Sequence, residues 1–536
     1  MVKLGASPST GRAIRTAGAE SDGLRDGRDF WKDLFLWVVV LLAFILRVGY
    51  NLALNPHMDA TALAISDERE YFAAAHTWSE GRGFSFYDTF VWVRPPLYVG
   101  FLGSLLGVSG AGGIVEGNAP YLLLLTLQSL LSAAALVPVA WLAYRNAGRL
   151  AGRCTALMGA LYLPFILFAG LMLSETLFLF LFACLLPLLL RARESASERW
   201  QVAAKWAGGA GLVAGLAMLT RSNVSAFVPI TAAWLFWPQK RSESAKQRAL
   251  PMLIFLGVAL LVILPWLARN TAAYGRFVGL DTTGGYNLWL ASTGVRDEPR
   301  LQADLLAVPN QGDRQSFAVA RAWENITADP LAFLGKGFKE SLDLWQPQFG
   351  AEERQIKGYS LGRVPAWHLG ALFVFDDLLY IIILMLAVSG MLLSPPDRLK
   401  SLTVLWLLMW VLVTFIFFAV TRFRLPIIMA LLPWSGVGLT LLWRSGPQLL
   451  LRNSTRGAQI ILAAAYVAIL AVTIPGIELD DTLLGIQRWA DQESYRRGVE
   501  LSPLGNNAQA IELYRSSNTD IADTRYALAA ALLRAG

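Results

Sequence analysis

The chain has 536 residues, of which 55% are hydrophobic and only 16% are charged, and its mean hydropathy is +0.47. Soluble globular domains contain about 45–50% apolar residues, so this composition excludes a soluble globule. The formal net charge is +7, but the basic residues lie mainly in short loops between apolar runs. That arrangement is typical of residues that set membrane topology, and it excludes a nucleic-acid-binding surface.

The N-terminal part of the chain predicts a tail followed by a membrane anchor. Residues 1–32 are rich in Gly, Ala, Ser and basic side chains, so we predict a disordered cytoplasmic tail there. Leu34 to Leu54 then matches the roughly 20 apolar residues that a transmembrane helix needs, and we expect it to stay in the membrane. A transmembrane domain is predicted over 33–475, with a first external catalytic loop over 55–118.

The apolar run from Leu97 to Val108 is shorter than a span, and we expect it to lie in or re-enter the membrane interface. A full crossing there would leave Arg145, Arg149 and Arg153 on the outside, against the positive-inside rule. The remaining runs then alternate to give about eleven spans, with the N-terminus inside and the C-terminus outside. These runs are Tyr121 to Tyr144, Thr155 to Leu171, Leu173 to Leu190, Ala207 to Thr220, Val224 to Trp237, Pro251 to Leu267, Ala371 to Leu393, Leu402 to Val420, Leu425 to Trp443 and Ala458 to Pro475.

Two polar regions complete the predicted all-α polytopic membrane protein. Residues 269–370 are expected to form a large external loop domain of α or mixed structure. Residues 476–536 are expected to form an external helical tail, whose closing piece reads either as one tetratricopeptide-like hairpin or as a plain amphipathic helix pair. These C-terminal helices are a candidate contact for an acceptor or a protein partner.

The predicted alternation brings most of the unusual charged residues to one outer face. They are Asp67, Glu68, Arg94, Glu175, Arg221, Arg269, Arg422 and Arg424. For a lone acidic pair, solvated carboxylates in a loop would be the better interpretation, but aromatic Tyr71 and Phe72 follow this pair, and a carboxylate held near apolar surface makes a usable general base. Glu175 interrupts an apolar stretch, where ionisable groups are costly and usually functional, but Ser174 and Glu175 also fit a capped helix start.

Arginines at outer helix ends break the positive-inside rule, and the planar guanidinium suits a phosphate. Snorkelling to lipid headgroups explains one such arginine but not five. These carboxylates and arginines together predict sugar transfer from a lipid phosphate: a carboxylate deprotonates an acceptor hydroxyl, and arginines stabilise the departing phosphate.

The sequence contains no Gly-rich nucleotide loop, HExxH motif or Cys/His cluster. No metal site is predicted, and dependence on a divalent metal is left open.

Six motifs in this order resemble the GT-C superfamily of polyprenyl-phosphate-sugar-dependent glycosyltransferases, in particular the bacterial relatives of aminoarabinose transferase and protein O-mannosyltransferase. The motifs are Asp67-Glu68 with Tyr71, Arg94-Pro95-Pro96-Leu97-Tyr98, Ser174-Glu175-Thr176-Leu177, Leu219-Thr220-Arg221, Pro265 to Asn270 with Thr282 to Leu288, and Arg422-Phe423-Arg424-Leu425-Pro426. They cover roughly residues 34 to 445. The last motif departs from the family pattern, because Phe423 replaces a tyrosine and removes a hydroxyl.

The resemblance implies an inverting transferase in a bacterial inner membrane, with its active site facing the periplasm, a polyprenyl-phosphate sugar donor, and a lipid, glycan or protein acceptor. It implies three sets of site residues: Asp67 as base with Glu68 and Glu175 as further catalytic acids; Arg94, Arg221, Arg269, Arg422 and Arg424 at the donor phosphate; and Tyr71, Tyr98, Asn270 and Asn287 at the substrate. A polysaccharide polymerase or ligase that uses a lipid diphosphate, and a lipid or solute transporter, remain alternatives.

Overall fold

The described part of the chain is built from helices, and it contains no strand. The computed structural model describes residues 28–54, 66–108, 119–196, 199–238, 244–294, 297–347, 366–445, 456–476, 494–495, 497–499, 501–502, 505–517 and 522–535. Most of the predicted tail over 1–32 and parts of both predicted external loops lie outside these residues.

The N-terminal half places short helices between long apolar ones. In order they are α1 Arg28–Trp31, α2 Leu34–Leu54, α3 Ser66–Thr77, α4 Phe86–Thr89, α5 Pro96–Val108, α6 Ala119–Ala134, α7 Leu136–Ala147, α8 Arg149–Leu161, α9 Leu163–Leu167, α10 Glu175–Ser195, α11 Trp200–Thr220, α12 Phe227–Phe236 and α13 Ala245–Tyr274. A π-helical turn, Trp78–Arg82, extends α3, and a 3-10 turn, Ser222–Ala226, precedes α12.

The C-terminal half begins with four helices of the predicted 269–370 loop and then returns to long apolar ones. In order they are α14 Thr283–Ser292, α15 Glu298–Leu306, α16 Gln311–Ala328, α17 Pro330–Asp343, α18 Ala366–Leu372, α19 Leu379–Leu393, α20 Arg398–Ile416, α21 Arg424–Ser445, α22 Arg456–Thr473, α23 Asn507–Ser516 and α24 Ala522–Ala535. A π-helical segment, Phe373–Leu378, joins α18 to α19, and 3-10 turns lie at Thr421–Phe423 and Ile474–Gly476.

Eight helical segments of the described chain are long and apolar enough to cross a membrane. They are Leu34–Leu54, Pro120–Ala147, Glu175–Ser195, Trp200–Thr220, Ala245–Tyr274, Gly370–Leu393, Arg398–Ile416 and Arg424–Arg444. The chain is a polytopic all-α membrane protein, which confirms the predicted fold class. Three further apolar helices, Pro96–Val108, Ser222–Phe236 and Gln459–Thr473, are shorter, so the total of about eleven spans stays a prediction.

The innermost helix of the bundle is α21, which is packed by small residues that allow close backbone approach. A Cβ atom on Gly438 would lie 2.0 Å from the carbonyl oxygen of Leu386, and one on Gly390 would lie 2.0 Å from that of Trp434. These glycines let α19 and α21 touch along their backbones, as small residues do in membrane helix pairs.

One predicted span is wrong in its form: Thr155 to Leu171 is not a single helix. The chain ends α8 at Leu161, extends at Tyr162, and continues irregularly after the short helix α9. The physical reason is Pro164, which has no N–H to donate to the carbonyl of Ala160 four residues earlier. The fully buried guanidinium of Arg47 on α2 replaces that donor, with Nη1 3.4 Å from Ala160 O and Nη2 3.2 Å from Gly159 O.

Side chains satisfy the other carbonyls of this irregular segment, as backbone at membrane depth requires. Asn51 Nδ2 donates to Ile166 O at 2.8 Å, and Ser132 Oγ donates to Phe165 O at 3.2 Å. Gln128 Nε2 donates to Ala169 O at 3.1 Å and to Leu171 O at 2.8 Å, and Tyr121 donates to Gly170 O at 2.6 Å. The segment is therefore held in place up to Ser174 and Glu175, where α10 begins.

The helices α14 to α16 form a small core of their own. Tyr286 and Trp289 on α14 pack with residues of α15 and α16, and Val91 and Trp92 from the predicted first external loop join the same cluster. This contact links the two predicted external loops to each other. The described part of the predicted 269–370 domain is helical rather than mixed, and α13 extends to Tyr274 before the loop begins.

At the C-terminus, α23 and α24 pack against each other around Ala510, Tyr514 and Ala531. The ring of Tyr495 lies 5.7 Å from that of Tyr514. The described residues thus contain the predicted helical hairpin, and its assignment as a tetratricopeptide-like repeat or partner surface stays a prediction.

Candidate active site

The first catalytic candidates lie in the first turn of α3, where acidic side chains interact favourably with the helix dipole. Asp67, Glu70 and Tyr71 are three and four residues apart, so they share one helix face. Glu68 is turned by about 100° from Asp67 and points elsewhere. It is buried, and its Oε1 accepts a hydrogen bond from the backbone N–H of Met172 at 2.9 Å. Glu68 therefore holds the irregular segment before α10, whereas Asp67 faces the arginines.

Arg94 binds both acids on that face. Its Nη2 lies 2.7 Å from Asp67 Oδ1, its Nε lies 2.6 Å from Glu70 Oε1, and its guanidinium lies 5.2 Å above the ring of Tyr71. The two prolines that follow Arg94 favour an extended backbone there. Thr282 fixes this extended segment, because its hydroxyl oxygen accepts from the backbone N–H of Val93 at 2.9 Å.

Glu70 is a site residue that the sequence analysis did not select. It is buried, and its two oxygens accept hydrogen bonds from Arg94 and from the indole N–H of Trp92, which lies 3.0 Å away. Burial raises the pKa of Glu70, although Arg94 opposes that shift. Its position three residues after Asp67 was the available signal. Glu70 orients the guanidinium that also holds Asp67.

A second acid and arginine pair lies beside the first. Glu175, the first residue of α10, forms an ion pair with Arg221, which follows the last residue of α11. Ser174 does not cap α10 with its side chain; its hydroxyl oxygen instead accepts from the hydroxyl of Tyr71 at 3.3 Å. The other oxygen of Glu175, Oε2, is buried and has no hydrogen-bond partner among the described residues.

Arg422 connects the two pairs. It lies in the 3-10 turn before α21, and its Nη1 binds Asp67 Oδ2 and lies 3.8 Å from Glu175 Oε1. Five predicted site residues from distant parts of the chain therefore meet in one cluster, which we call the carboxylate–arginine cluster: Asp67, Arg94, Glu175, Arg221 and Arg422. Their meeting also shows that the start of α10, the end of α11 and the start of α21 lie at the same end of the bundle.

The two arginines determine the ionisation of Asp67. Burial alone would raise the pKa of this carboxyl, but Arg94 and Arg422 outweigh burial and hold the pKa well below its usual range. Asp67 and Glu70 together raise the pKa of Arg94, whereas burial alone would lower it. The side chain of Asp67 is 14% exposed, against 4% for Glu70 and 2% for Glu175, so Asp67 is the acid that an incoming molecule reaches most readily.

A fourth acid, Asp281 from the predicted second external loop, lies beside the cluster. Its half-buried carboxyl accepts a hydrogen bond from Ser222, the residue after Arg221. Burial raises the pKa of Asp281, while Ser222, Thr283 and Arg94 lower it. Asp281 was not selected from the sequence, because it lies among ordinary loop residues and no pattern distinguishes it.

Two predicted donor-binding arginines bind elsewhere in the described structure. Arg269 pairs with Asp88 at 2.8 Å and donates to the hydroxyl of Tyr274 at 2.9 Å. Arg424 is buried, and its guanidinium donates to the backbone carbonyls of Gln346 and Pro347, the latter at 2.8 Å. The five predicted donor-binding arginines therefore lie in three different environments.

The predicted substrate-binding residues are also dispersed. The ring of Tyr71 packs against Arg94 of the cluster, whereas the buried hydroxyl of Tyr98 donates to Gln128 at 3.0 Å. Asn270 is buried and donates to Gly279 O at 3.0 Å, and Asn287 is half-buried on α14. Among the described residues no group of three or more His, Cys, Asp or Glu side chains is placed to hold a metal ion.

No protein-family model matches the chain. No curated protein sequence matches it either. Among solved structures it is similar to the apo oligosaccharyltransferase of Archaeoglobus fulgidus, at 14% identity and a TM-score of 0.48, over 88% of this chain and 59% of that one. It is also similar to ArnT of Cupriavidus metallidurans bound to undecaprenyl phosphate, at 15% identity and a TM-score of 0.34, over 84% of this chain and 89% of that one.

The chain thus spans about three fifths of the length of the archaeal structures that it resembles. The likeness is partial at these scores, and it assigns no substrate or residue role to this chain.

Proposed function

We propose that this chain is an inverting GT-C-type glycosyltransferase. It moves a sugar from a polyprenyl-phosphate donor to a hydroxyl of a lipid, glycan or protein acceptor at the outer face of a bacterial plasma membrane. The observation that carries the proposal is the position of Arg422, which binds Asp67 and lies 3.8 Å from the Glu175 carboxylate that Arg221 holds. The guanidinium of Arg422 thus lies between the accessible carboxylate of Asp67 and the ion pair of Glu175 with Arg221.

Phosphate fits this arrangement because its oxygens accept the same paired N–H groups that carboxylates accept. A donor phosphate that enters between Arg422 and Arg221 replaces Asp67 and Glu175 as their partner. The guanidinium groups then stabilise the charge that develops on the phosphate as the sugar leaves.

The same exchange activates the base. With two arginines bound, Asp67 has a lowered pKa and accepts protons poorly. When the phosphate takes Arg422, Asp67 keeps only Arg94 and its basicity rises. Asp67 then removes the proton of the acceptor hydroxyl, the oxygen bonds to the anomeric carbon, and the bond from that carbon to the phosphate oxygen breaks. The leaving polyprenyl phosphate takes the electron pair, and the anomeric centre inverts.

The first test compares two carboxylates at opposite ends of the helical stretch from Ser66 to Arg82. Asp67→Asn removes the base but keeps the size of the side chain, and we expect transfer to fall about 10²–10⁴-fold while the protein remains folded. The matched control is Glu80→Gln, which breaks an exposed pair with Arg82 outside the cluster and should leave transfer unchanged. Transfer by the Asp67→Asn protein at the rate of the unmodified chain would refute the mechanism.

The second test identifies the lipid. Mass spectrometry of lipid that copurifies with the chain should find a polyprenyl monophosphate carrying one sugar. A lipid diphosphate carrying an oligosaccharide would assign the chain to the polysaccharide polymerases or ligases instead. Transport of an unmodified solute or lipid into vesicles, without transfer of sugar, would assign it to the transporters.

A further inference from the structure

The external helix α17 has its polar and apolar sides reversed relative to a helix on a water-facing surface. Four large apolar side chains are exposed on it: Leu331 at 78%, Leu334 at 44%, Phe338 at 65% and Leu342 at 56%. Their spacings of three, four and four residues place them on one face, which we call the apolar face of α17. The opposite side buries Gly337, Glu340 and Asp343.

The buried side of α17 forms hydrogen bonds with the C-terminal end of the membrane span α20 and with the residues that follow it. Lys336 Nζ donates to the carbonyls of Ile416, at 3.1 Å, and Phe417, so it supplies donors to the C-terminal end of α20. Glu340 Oε2 accepts from the backbone N–H of Ala419 at 2.6 Å. A Cβ on Gly337 would lie 2.8 Å from Phe415 O, so the helices touch at that point. These contacts place α17 at the depth where α20 leaves the membrane.

The apolar face of α17 continues the lipid-facing stripe of α20. Val404, Leu408 and Leu412 are exposed at intervals of four residues along that span. Phe415 follows them, and its ring lies 5.3 Å from that of Phe338 in an edge-to-face contact. One apolar surface therefore runs from the side of the span onto the exposed face of α17. Trp323 on α16, 65% exposed, fits the aromatic belt of a membrane interface.

We propose that α17 lies in the membrane interface at the site end of the bundle, with its apolar face inserted among the lipid acyl chains. This inference rests on the membrane-spanning arrangement alone and stands apart from the proposed reaction. The occupant of the face is lipid because the face is continuous with the lipid-exposed side of α20 and its buried side is polar.

The position of α17 also bears on the carboxylate–arginine cluster. The segment that α17 binds, Phe415 to Ala419, leads directly to Arg422. The residues after α17, Gln346 and Pro347, bind Arg424. The depth of α17 in the bilayer therefore helps to set where the turn with Arg422 sits relative to Asp67.

The test measures the depth of single positions in the full-length chain. In a background with Cys154→Ala and Cys184→Ala, Phe338→Cys and Leu331→Cys are labelled with an environment-sensitive fluorophore. Ser316→Cys, an exposed polar position on α16, is the control. Leu331 is included because it makes no ring contact that the change to cysteine would remove. Each protein is placed in vesicles of phosphatidylethanolamine and phosphatidylglycerol that contain a phosphatidylcholine spin-labelled on its acyl chain.

We expect the spin-labelled lipid to quench both apolar-face positions, and aqueous iodide to quench them at least about threefold less than position 316. Iodide quenching equal to that at position 316 would show that the face is in water and would overturn the proposal. Protection from both quenchers would show that a second copy of the chain or another protein covers the face, and would overturn it equally.

Discussion

The arginines at the site end of the bundle fall into two regions that differ in what each guanidinium holds. In the carboxylate–arginine cluster, Arg422 holds anionic side chains in a partly exposed position. Arg424, two residues later, is buried and holds two backbone carbonyls. A carboxylate that is bound at an accessible place can be exchanged for another anion, whereas a buried carbonyl cannot leave. The proposed function therefore assigns Arg422 to ligand binding, whereas the contacts of Arg424 support the fold.

The largest effect on stability that this comparison predicts comes from Arg424→Ala. The change removes the guanidinium that donates to the carbonyls of Gln346 and Pro347 and that packs against Tyr380, so we expect a loss of about 3 kcal/mol in the free energy of unfolding. Thermal unfolding of the detergent-purified chain measures it, with Arg422→Ala as the matched control. A melting temperature that falls as far in the control as in Arg424→Ala would remove the distinction between the two arginines.

Arg422→Ala should act instead on binding. We expect undecaprenyl phosphate to bind about tenfold more weakly, a change of about 1.4 kcal/mol, because one of the guanidinium groups for the phosphate is lost. Titration of the purified chain with undecaprenyl phosphate measures the affinity. Arg422→Lys should recover part of it, since lysine keeps the charge but not the paired geometry. Full affinity in the alanine protein would contradict the assigned role.

The dependence of stability on pH should sharpen the assignment of Asp67. Its folded-state pKa is lowered, so its contribution is present above the unfolded-state pKa of about 3.9 and is lost as the pH falls through and below that value. Melting curves of the unmodified chain and of Asp67→Asn should therefore converge towards acid pH. A difference between them that grows as the pH falls would show the opposite sign and contradict the two-arginine environment.

Arg269→Ala should have the smallest effect on binding. Its guanidinium pairs with Asp88, whose side chain is 46% exposed, and an exposed pair contributes little. We expect the affinity for undecaprenyl phosphate to change by less than about twofold. If the affinity falls as far as in Arg422→Ala, Arg269 belongs with the donor site, as the sequence motifs imply.

The sequence predicted where these residues lie along the membrane normal better than it predicted which side chains they contact. Apolar runs and flanking charges predict how far along the membrane normal a residue lies, and they predicted that Asp67, Arg94, Glu175, Arg221 and Arg422 would reach the same end of the bundle. They do not predict which helix a side chain faces. For that reason Arg269 and Arg424 were grouped with the cluster although the structure gives them other partners.

The residues that were missed have a different explanation. Glu70 reads as an ordinary charge in a polar stretch, and only the three-residue spacing from Asp67 places it on the same side of α3. Asp281 depends on a loop conformation that brings it to Ser222, 59 residues earlier in the chain. The break in the predicted span over Thr155 to Leu171 could have been read from Pro164, since proline interrupts helices even in apolar surroundings.

The buried guanidinium of Arg47 imposes an order on biosynthesis. Arg47 lies in the first candidate span, and an arginine at the centre of a lone span costs about 2.5–3.5 kcal/mol to insert. Its carbonyl partner at Gly159 is 112 residues downstream, so the ribosome must complete the next hairpin of helices before that charge finds its acceptors. Until then only the carbonyl of Ala43, in the same span, accepts a hydrogen bond from this guanidinium, so we expect the first span to stay beside the translocon or a membrane insertase.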